Sequence, residues 1–509
     1  LATCDNLNNI LENKNALETS IPGVFYQIFV RSFCDSNGDG IGDISGITSK
    51  LSYLKDLGIE GIWLSPIFQS PSYHKYDVVD YYQIDSDYGN LQDFDNLVKK
   101  ANSLGIKIIL DWVINHTSSD NPWFLEAKKG KDSPFRDFYS WKTPLEIKEK
   151  GLEMREITAD SGEKQPWHWA NKGDTEKYYG LFWSKMPDLN MESRKLREEI
   201  YKIGKYWLEK GVAGFRMDAA KHIYPDYEVE KCHAFWQEFR NEMEAINPSV
   251  YVVGEVWTSA KNIAPFFKGI KAIFDFDLCF GIRKIIETET DSENLIATLM
   301  ANYKLFSTFN EGFVEATMLS NHDMDRIASA AHGNLDKLKM AVNLLFLLPG
   351  NPYVYYGDEL GMLGKKPDEN IREAFLWDSR WQDASRTNWR KPKYNTDSKV
   401  KPLKMQETDL DSLYLHYKKM IALRKNHPAL CQITVQNLAT TATLEKGVLS
   451  FKRPHIAGEV IVFQNITSVV KHFKIKDDFF ETLYASSGSG MLKTDEAVLK
   501  PYGCLVLKK

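Results

Sequence analysis

The chain has 509 residues, 43% hydrophobic and 26% charged, which are ordinary globular proportions with length for two or three domains. A net charge of −5 offers no basic excess for phosphate, so nucleic acid is not an expected partner. No run approaches the ~18 apolar residues that cross a membrane, and a monomer is expected.

The first residues, "LATCDN", end in a Leu-Ala-small-Cys pattern like the close of a bacterial lipoprotein signal, with Cys4 as the lipidated residue. Thr3 fits that pattern poorly, and an ordinary terminus is the alternative. The expectation is a secreted or envelope-associated protein with residues 1–20 as a polar tether. The six cysteines, Cys4, Cys34, Cys232, Cys279, Cys431 and Cys504, show no CxxC or CxxH spacing. Zinc is therefore not expected, and mostly unpaired thiols are.

From Val24 apolar runs alternate with amphipathic ones: "VFYQIFV", "IEGIWLSPI" and "IKIILDWVI" are separated by two segments of helical spacing that end in Gly. Continuous Val, Ile and Leu runs read as parallel strands covered by helices on both faces. Regularity stops from about Ser118 to Met186, a Trp-, Gly- and Pro-rich excursion too long for a loop. Five more strands follow: "VAGFRMDA", "VYVVGEV", "KAIFDF", "EATMLSN" and "NPYVYYG". Eight strand–helix units predict a closed (β/α)8 barrel. Beyond about residue 430 the alternation has period two ("GEVIVFQNIT", "KHFKIK", "YGCLVLKK"), which predicts an antiparallel β-sandwich. The expected division is a barrel over 21–116 and 187–428, an insertion over 117–186 and a sandwich over 429–509.

After the first strand, "CDSNGDGIGD" supplies Asp35, Asn37, Asp39 and Asp43 with interleaved glycines. An EF-hand needs a bidentate Glu at position twelve, which is Gly46 here, and a helix in front, where a strand is expected. The loop still offers hard oxygens, with the carbonyl of Ile41 to complete the shell, so it reads as a structural calcium loop or an acidic turn.

Barrel enzymes keep their chemistry where strands end. Strand three ends with Asp111, Asn115 and His116 on offer. Strand four ends "GFRMDAAKH", where Arg216 and Asp218 project the same way, as an ionised nucleophile or a structural pair would. Strand five ends "VVGEVW", with Glu255 among apolar neighbours that would raise its pKa. Strand seven ends "LSNHDMDR", with Asp323. Paired carboxylates in opposite protonation states are the means of glycoside hydrolysis, and a third can stabilise the oxocarbenium charge.

"DWVINH" (111–116), "GFRMDAAKH" (214–222), "GEVW" (254–257) and "LSNHD" (319–323) resemble, in order, the four conserved regions of the α-amylase family of glycoside hydrolases. "MPDLN" (186–190) resembles the fifth motif of a group intermediate between oligo-1,6-glucosidases and neopullulanases. The resemblance implies the barrel, an inserted domain B and a C-terminal domain C. It implies Asp218 as nucleophile, Glu255 as acid/base and Asp323 as transition-state stabiliser. It further implies a sugar site lined by Tyr76, His74, His116, Arg216 and His322, with Asp368 and Arg372 from "DENIRE" on sugar hydroxyls and Lys221 and His222 on the leaving-group side. Calcium is implied at the 35–43 loop, and a second ion at Asn115, Asp188 and the His222 carbonyl. "DAAKH", with Ala219 rather than Val, looks like the α-1,4 enzymes. Starch, maltooligosaccharides and related α-glucans are the expected substrates, with a neopullulanase, cyclomaltodextrinase or 4-α-glucanotransferase as the alternative enzyme and a non-catalytic glucan-binding relative as the alternative class. Trp167, Trp169 and Trp183 of the insertion are expected either to stack on glucan or to form that domain's core.

Overall fold

The computed structural model describes residues 23–153, 165–432, 446–475, 481–493 and 495–509. The expected tether with Cys4 and the start of "TATLEKGVLSFKR" lie outside the described residues.

The eight apolar runs form strands β1 (Phe25–Ile28), β2 (Gly61–Leu64), β3 (Lys107–Trp112), β4 (Gly214–Met217), β5 (Tyr251–Gly254), β6 (Ala272–Phe274), β7 (Val314–Met318) and β8 (Asn351–Tyr355). They close into a parallel barrel in the order β1-β8-β7-β6-β5-β4-β3-β2. Alternate residues fill two cores, as the period of two requires. Phe25, Trp63, Ile109, Val253, Phe274 and Tyr353 pack inside the barrel. Tyr26, Ile62, Ile108 and Val252 face the helices. The first long helix, Ile44–Leu57, is capped by Asp43, whose side chain accepts from Gly46 N, and ends at Gly58 in the left-handed region. The second, Leu91–Ser103, starts at Asn90 in a capping box with Asp93.

The insertion after β3 carries a three-stranded sheet of Trp141–Lys142, Lys177–Tyr179 and Trp167–His168. Its entering and leaving backbones pair at His116–Asp188 and Tyr139–Leu189. Trp167 belongs to that domain's own core with Ile147, Tyr179 and Leu181. Trp169 and Trp183 are 48% and 39% exposed and lie outside that core.

The C-terminal region packs a four-stranded antiparallel sheet against a three-stranded one, with Ile461, Phe463, Phe473 and Leu505 between them. It is tied to the barrel by Arg453, whose guanidinium donates to Leu347 O at 2.6 Å. Among the described residues Cys34, Cys232, Cys279, Cys431 and Cys504 are free thiols. No helix there is long and apolar enough to cross a membrane.

Candidate active site

The mouth of the barrel is organised by one guanidinium. Arg216, on β4 and 1% exposed, reaches Asp111 Oδ1 at 2.8 Å, Asp218 Oδ1 at 2.6 Å and Glu255 Oε2 at 3.0 Å. Met217 on β4 pairs with Gly254 on β5, so Asp218 and Glu255 lie one step beyond a register pair on adjacent strands, which run about 4.8 Å apart. The single buried cation is the partner all three share, so removing it would leave their buried charge uncompensated.

The turn after β4 adds a donor. Ala219 has φ +46°, uncommon for a residue with a side chain, and its N–H donates to Glu255 Oε2 at 3.1 Å. Burial nevertheless pushes Glu255 up to about 8, with Arg216 opposing and Asp218 and Asp323 adding to the rise. Glu255 is therefore a protonated carboxylic acid at neutral pH, as its apolar sequence neighbours led us to expect. Burial also raises Asp111 to about 7, against the pull of Arg216.

Asp323 has the opposite character. Burial alone would raise it, but His322, Arg372 and Lys366 overcome that and hold it far below the usual carboxylate range. His322 Nε2 lies 3.0 Å from Asp323 Oδ2, and Arg372 Nη2 donates to Asp323 Oδ1 at 2.9 Å. The Gln27 amide donates to His322 Nδ1 at 2.8 Å, which assigns the imidazole proton to Nε2. Tyr76 stacks on the His322 ring at 5.3 Å and 7°, bonds His322 Nε2, and donates to Asp111 Oδ2 at 3.0 Å. Two hydrogen-bonded networks thus meet at Tyr76 and Asp111.

The other expected sugar-site residues divide. Arg372 also bonds Asp368 at 3.0 Å, so that pair joins Asp323. His116 Nε2 donates to Tyr76 O at 3.2 Å, and His74 lies beside Tyr76 with burial lowering its pKa to about 4. The Phe182 ring meets His116 edge-on at 5.4 Å and His222 at 5.8 Å, bringing both histidines to one wall. Lys221 Nζ lies 3.4 Å from Asp226 Oδ1. A cavity of about 1400 Å³ lies between the insertion and the 222–231 segment, lined in part by Asp188 and His222, and none of Asp111, Asp218, Glu255 and Asp323 lines it.

Sequence reading missed Gln27, Trp63, Tyr73 and Phe182. Gln27 carried a signal as the one amide inside "VFYQIFV". Trp63, whose Nε1 donates to Asp111 Oδ2 at 3.0 Å, looked like any core aromatic.

The implied metal positions differ in kind. In the 35–43 loop Asp35 accepts from the N–H groups of Asn37, Gly38 and Gly40, Asp39 from that of Ile41, and Asp43 from those of Ser36 and Gly46. At the junction with the insertion, Asn115 Oδ1 is buried with no hydrogen-bond partner among the described residues, next to His116, whose backbone pairs with Asp188. Among the described residues no three His, Cys, Asp or Glu side chains gather tightly enough to hold a metal by themselves.

A closed (β/α)8 barrel with acids of opposed protonation at its C-terminal mouth defines an enzyme of the barrel class. Residues 27–432 match the family described as alpha amylase, catalytic domain. Alpha-amylase 3 of Dictyoglomus thermophilum is 39% identical over 485 residues, covering 95% of this chain and 93% of the relative. A 4-alpha-glucanotransferase of Thermotoga neapolitana is 35% identical over 421 residues, covering 81% of this chain and 89% of its own. The crystal structure of alpha-amylase from H. orenii aligns with a TM-score of 0.85 at 36% identity, covering 96% of this chain and 99% of that one. The chain belongs to the α-amylase family of glycoside hydrolases.

Proposed function

We propose that the protein is a retaining hydrolase that cleaves internal α-1,4-glucosidic bonds of starch and maltooligosaccharides. The observation that carries this reading is the Arg216 fork, which holds Asp218 and Glu255 on adjacent strands. Carboxyls that share one guanidinium from adjacent strands support the closer spacing of a double displacement over the wider one by which an inverting pair leaves room for water. Glu255 gives its proton to the glycosidic oxygen while Asp218 attacks the anomeric carbon; that carbon–oxygen bond breaks and the sugar departs as an alcohol. Asp218 then holds the retained sugar as an ester. Glu255, now a carboxylate, takes a proton from water, whose oxygen attacks the same carbon and frees Asp218. Asp323 stays ionised beside the developing positive charge. Tyr76, His74, His116, Arg216, His322, Asp368 and Arg372 bind the retained sugar, with Lys221 and His222 toward the leaving one. Proton NMR of the first product tests this: the α-anomer is expected, and an initial β-anomer overturns it. Transfer, the activity named for the Thermotoga relative, is separated by the products formed from maltotriose alone.

Calcium belongs to the same proposal. The orphaned Asn115 oxygen supports an ion held with Asp188 and the His222 carbonyl. In the 35–43 loop the donor chemistry of Asp35, Asn37, Asp39, Ile41 and Asp43 suits calcium, while its carboxylates already serve backbone N–H groups. Such an ion would brace the fold. We take the domain edges at 116/117, 186/187 and 428/429, and secretion or lipid anchoring through Cys4 as the place of action. Labelled lipid carried by the natural protein and lost from C4A tests the anchor.

A further inference from the structure

Trp389 lies in the loop after β8 and in none of the sugar-binding motifs. Its Nε1 donates to Ser32 Oγ at 2.8 Å, and Ser32 Oγ donates in turn to Arg372 O. The Trp389 N–H donates to Gly40 O at 3.0 Å, with Asn388 N on the same carbonyl at 2.8 Å and Asp35 N on Ser385 O at 2.9 Å. The indole stacks on Tyr73 at 5.4 Å and 23°. Tyr73 accepts from Arg372 Nη1 at 3.1 Å, and the Arg372 guanidinium lies over the rings of Tyr73 and Phe29 at 5.8 and 5.4 Å. One continuous path therefore runs from the 35–43 loop through Trp389 and Tyr73 to Arg372 and Asp323.

The side of the cleft follows from topology. In the ring β1-β8-β7-β6-β5-β4-β3-β2, the strand opposite β5 is β1. Glu255 follows β5 and serves the departing sugar. The 35–43 loop follows β1, and the loop bearing Trp389 follows its neighbour β8. The Trp389–Tyr73 wall thus stands across the barrel mouth from the proton donor, beside the sugar that the enzyme retains.

We propose that Trp389 is a positioning and specificity-determining residue: stacked on Tyr73, it fixes Arg372 and shapes the second subsite from the cleaved bond on the retained-sugar side, one sugar beyond the residue that Asp218 attacks. This rests on the hydrolase reading given above. A planar stack contributes enough that replacing it by a flexible aliphatic chain weakens that subsite by about two- to tenfold. Glucan registers that fill the subsite then lose to registers that leave it empty. Because the retained sugar carries the non-reducing end, cleavage moves toward that end.

The test is the bond-cleavage distribution of reducing-end-labelled maltopentaose, with KM and kcat, for the wild type, W389L and W389F. W389L is expected to shift the preferred bond by one residue toward the non-reducing end and to raise KM about two- to tenfold. W389F restores a ring on Tyr73 and is expected to return most of the distribution. Y73L, which removes the partner ring, must shift it in the same direction and supplies the readout if W389L does not fold. A fall in kcat with the wild-type distribution in W389L, or in Y73L where that is the variant read, overturns the proposal, since a merely structural role lowers turnover without moving the cut. Failure of the hydrolase reading is distinct: the wild type itself then leaves maltopentaose intact.

Discussion

The acids of the 35–43 loop and those of the barrel mouth are similar in number and opposite in behaviour. Asp35, Asp39 and Asp43 turn their oxygens onto N–H groups of their own loop, in a turn whose residues 36–39 are exposed. Asp111, Asp218 and Glu255 turn theirs onto one buried guanidinium. In the loop each carboxylate satisfies backbone and shapes a turn. At the mouth the backbone is already paired in the barrel, so the carboxylates act on one another through the guanidinium, and burial raises Asp111 and Glu255 above the usual carboxylate range. Counting acids does not separate the two regions; asking which groups satisfy them does.

The sharpest break in that comparison is neutralisation. E255Q should lower kcat by about 10²–10⁴-fold by removing the proton donor, measured on soluble starch. D39N in the loop should leave kcat within about twofold. Equal losses would erase the distinction. R216K comes next: a lysine cannot bridge three carboxylates, so urea unfolding should show about 3–5 kcal/mol lost, with activity. A loss near zero would mean the fork is not what holds the mouth together.

The pH profile sharpens the difference further. Glu255 is raised in the folded state, so its acid form dominates below about 8, and activity should fall as pH climbs through about 8. The linked stability has the same sign. It is complete below the unfolded carboxyl value of about 4.3 and is lost as pH rises to the folded value. The melting temperature of E255Q should therefore decline less from pH 5 to 9 than that of the wild type, and parallel declines would count against a buried protonated Glu255. The smallest effect belongs to the loop backbone. Gly40 has φ +88°, and a Cβ there would meet Asn388 Oδ1, so G40A should cost about 1–2 kcal/mol in thermal unfolding. No change would remove the loop as a brace for residues 388–389.

Much of the site was legible because barrel chemistry gathers at strand ends. Asp218, Glu255 and Asp323 each follow an apolar run, and Arg216 stands two residues before Asp218 on the same face. The eight strands were legible from their unbroken apolar character, although each is shorter than its run; "VFYQIFV" yields only Phe25–Ile28 before the chain turns. What sequence could not supply was partner choice between distant segments. Nothing in "WQDASRTNW" announces that Trp389 stacks on Tyr73, and nothing in "LFW" sets Phe182 rather than Trp183 against His116 and His222. Lys221 shows the same limit: its motif position says nothing of Asp226, five residues on, whose carboxylate lies 3.4 Å from its ammonium.

All of this depends on Asp218 bonding to the sugar while Glu255 handles the proton. Incubation with a fluorinated α-maltosyl fluoride, which forms the ester quickly and loses it slowly, followed by digestion and mass spectrometry, reads that bond directly. The account predicts a single glycosyl adduct on the peptide containing Asp218. An adduct on the peptide containing Glu255 or Asp323, or full turnover with inversion and no adduct, contradicts it.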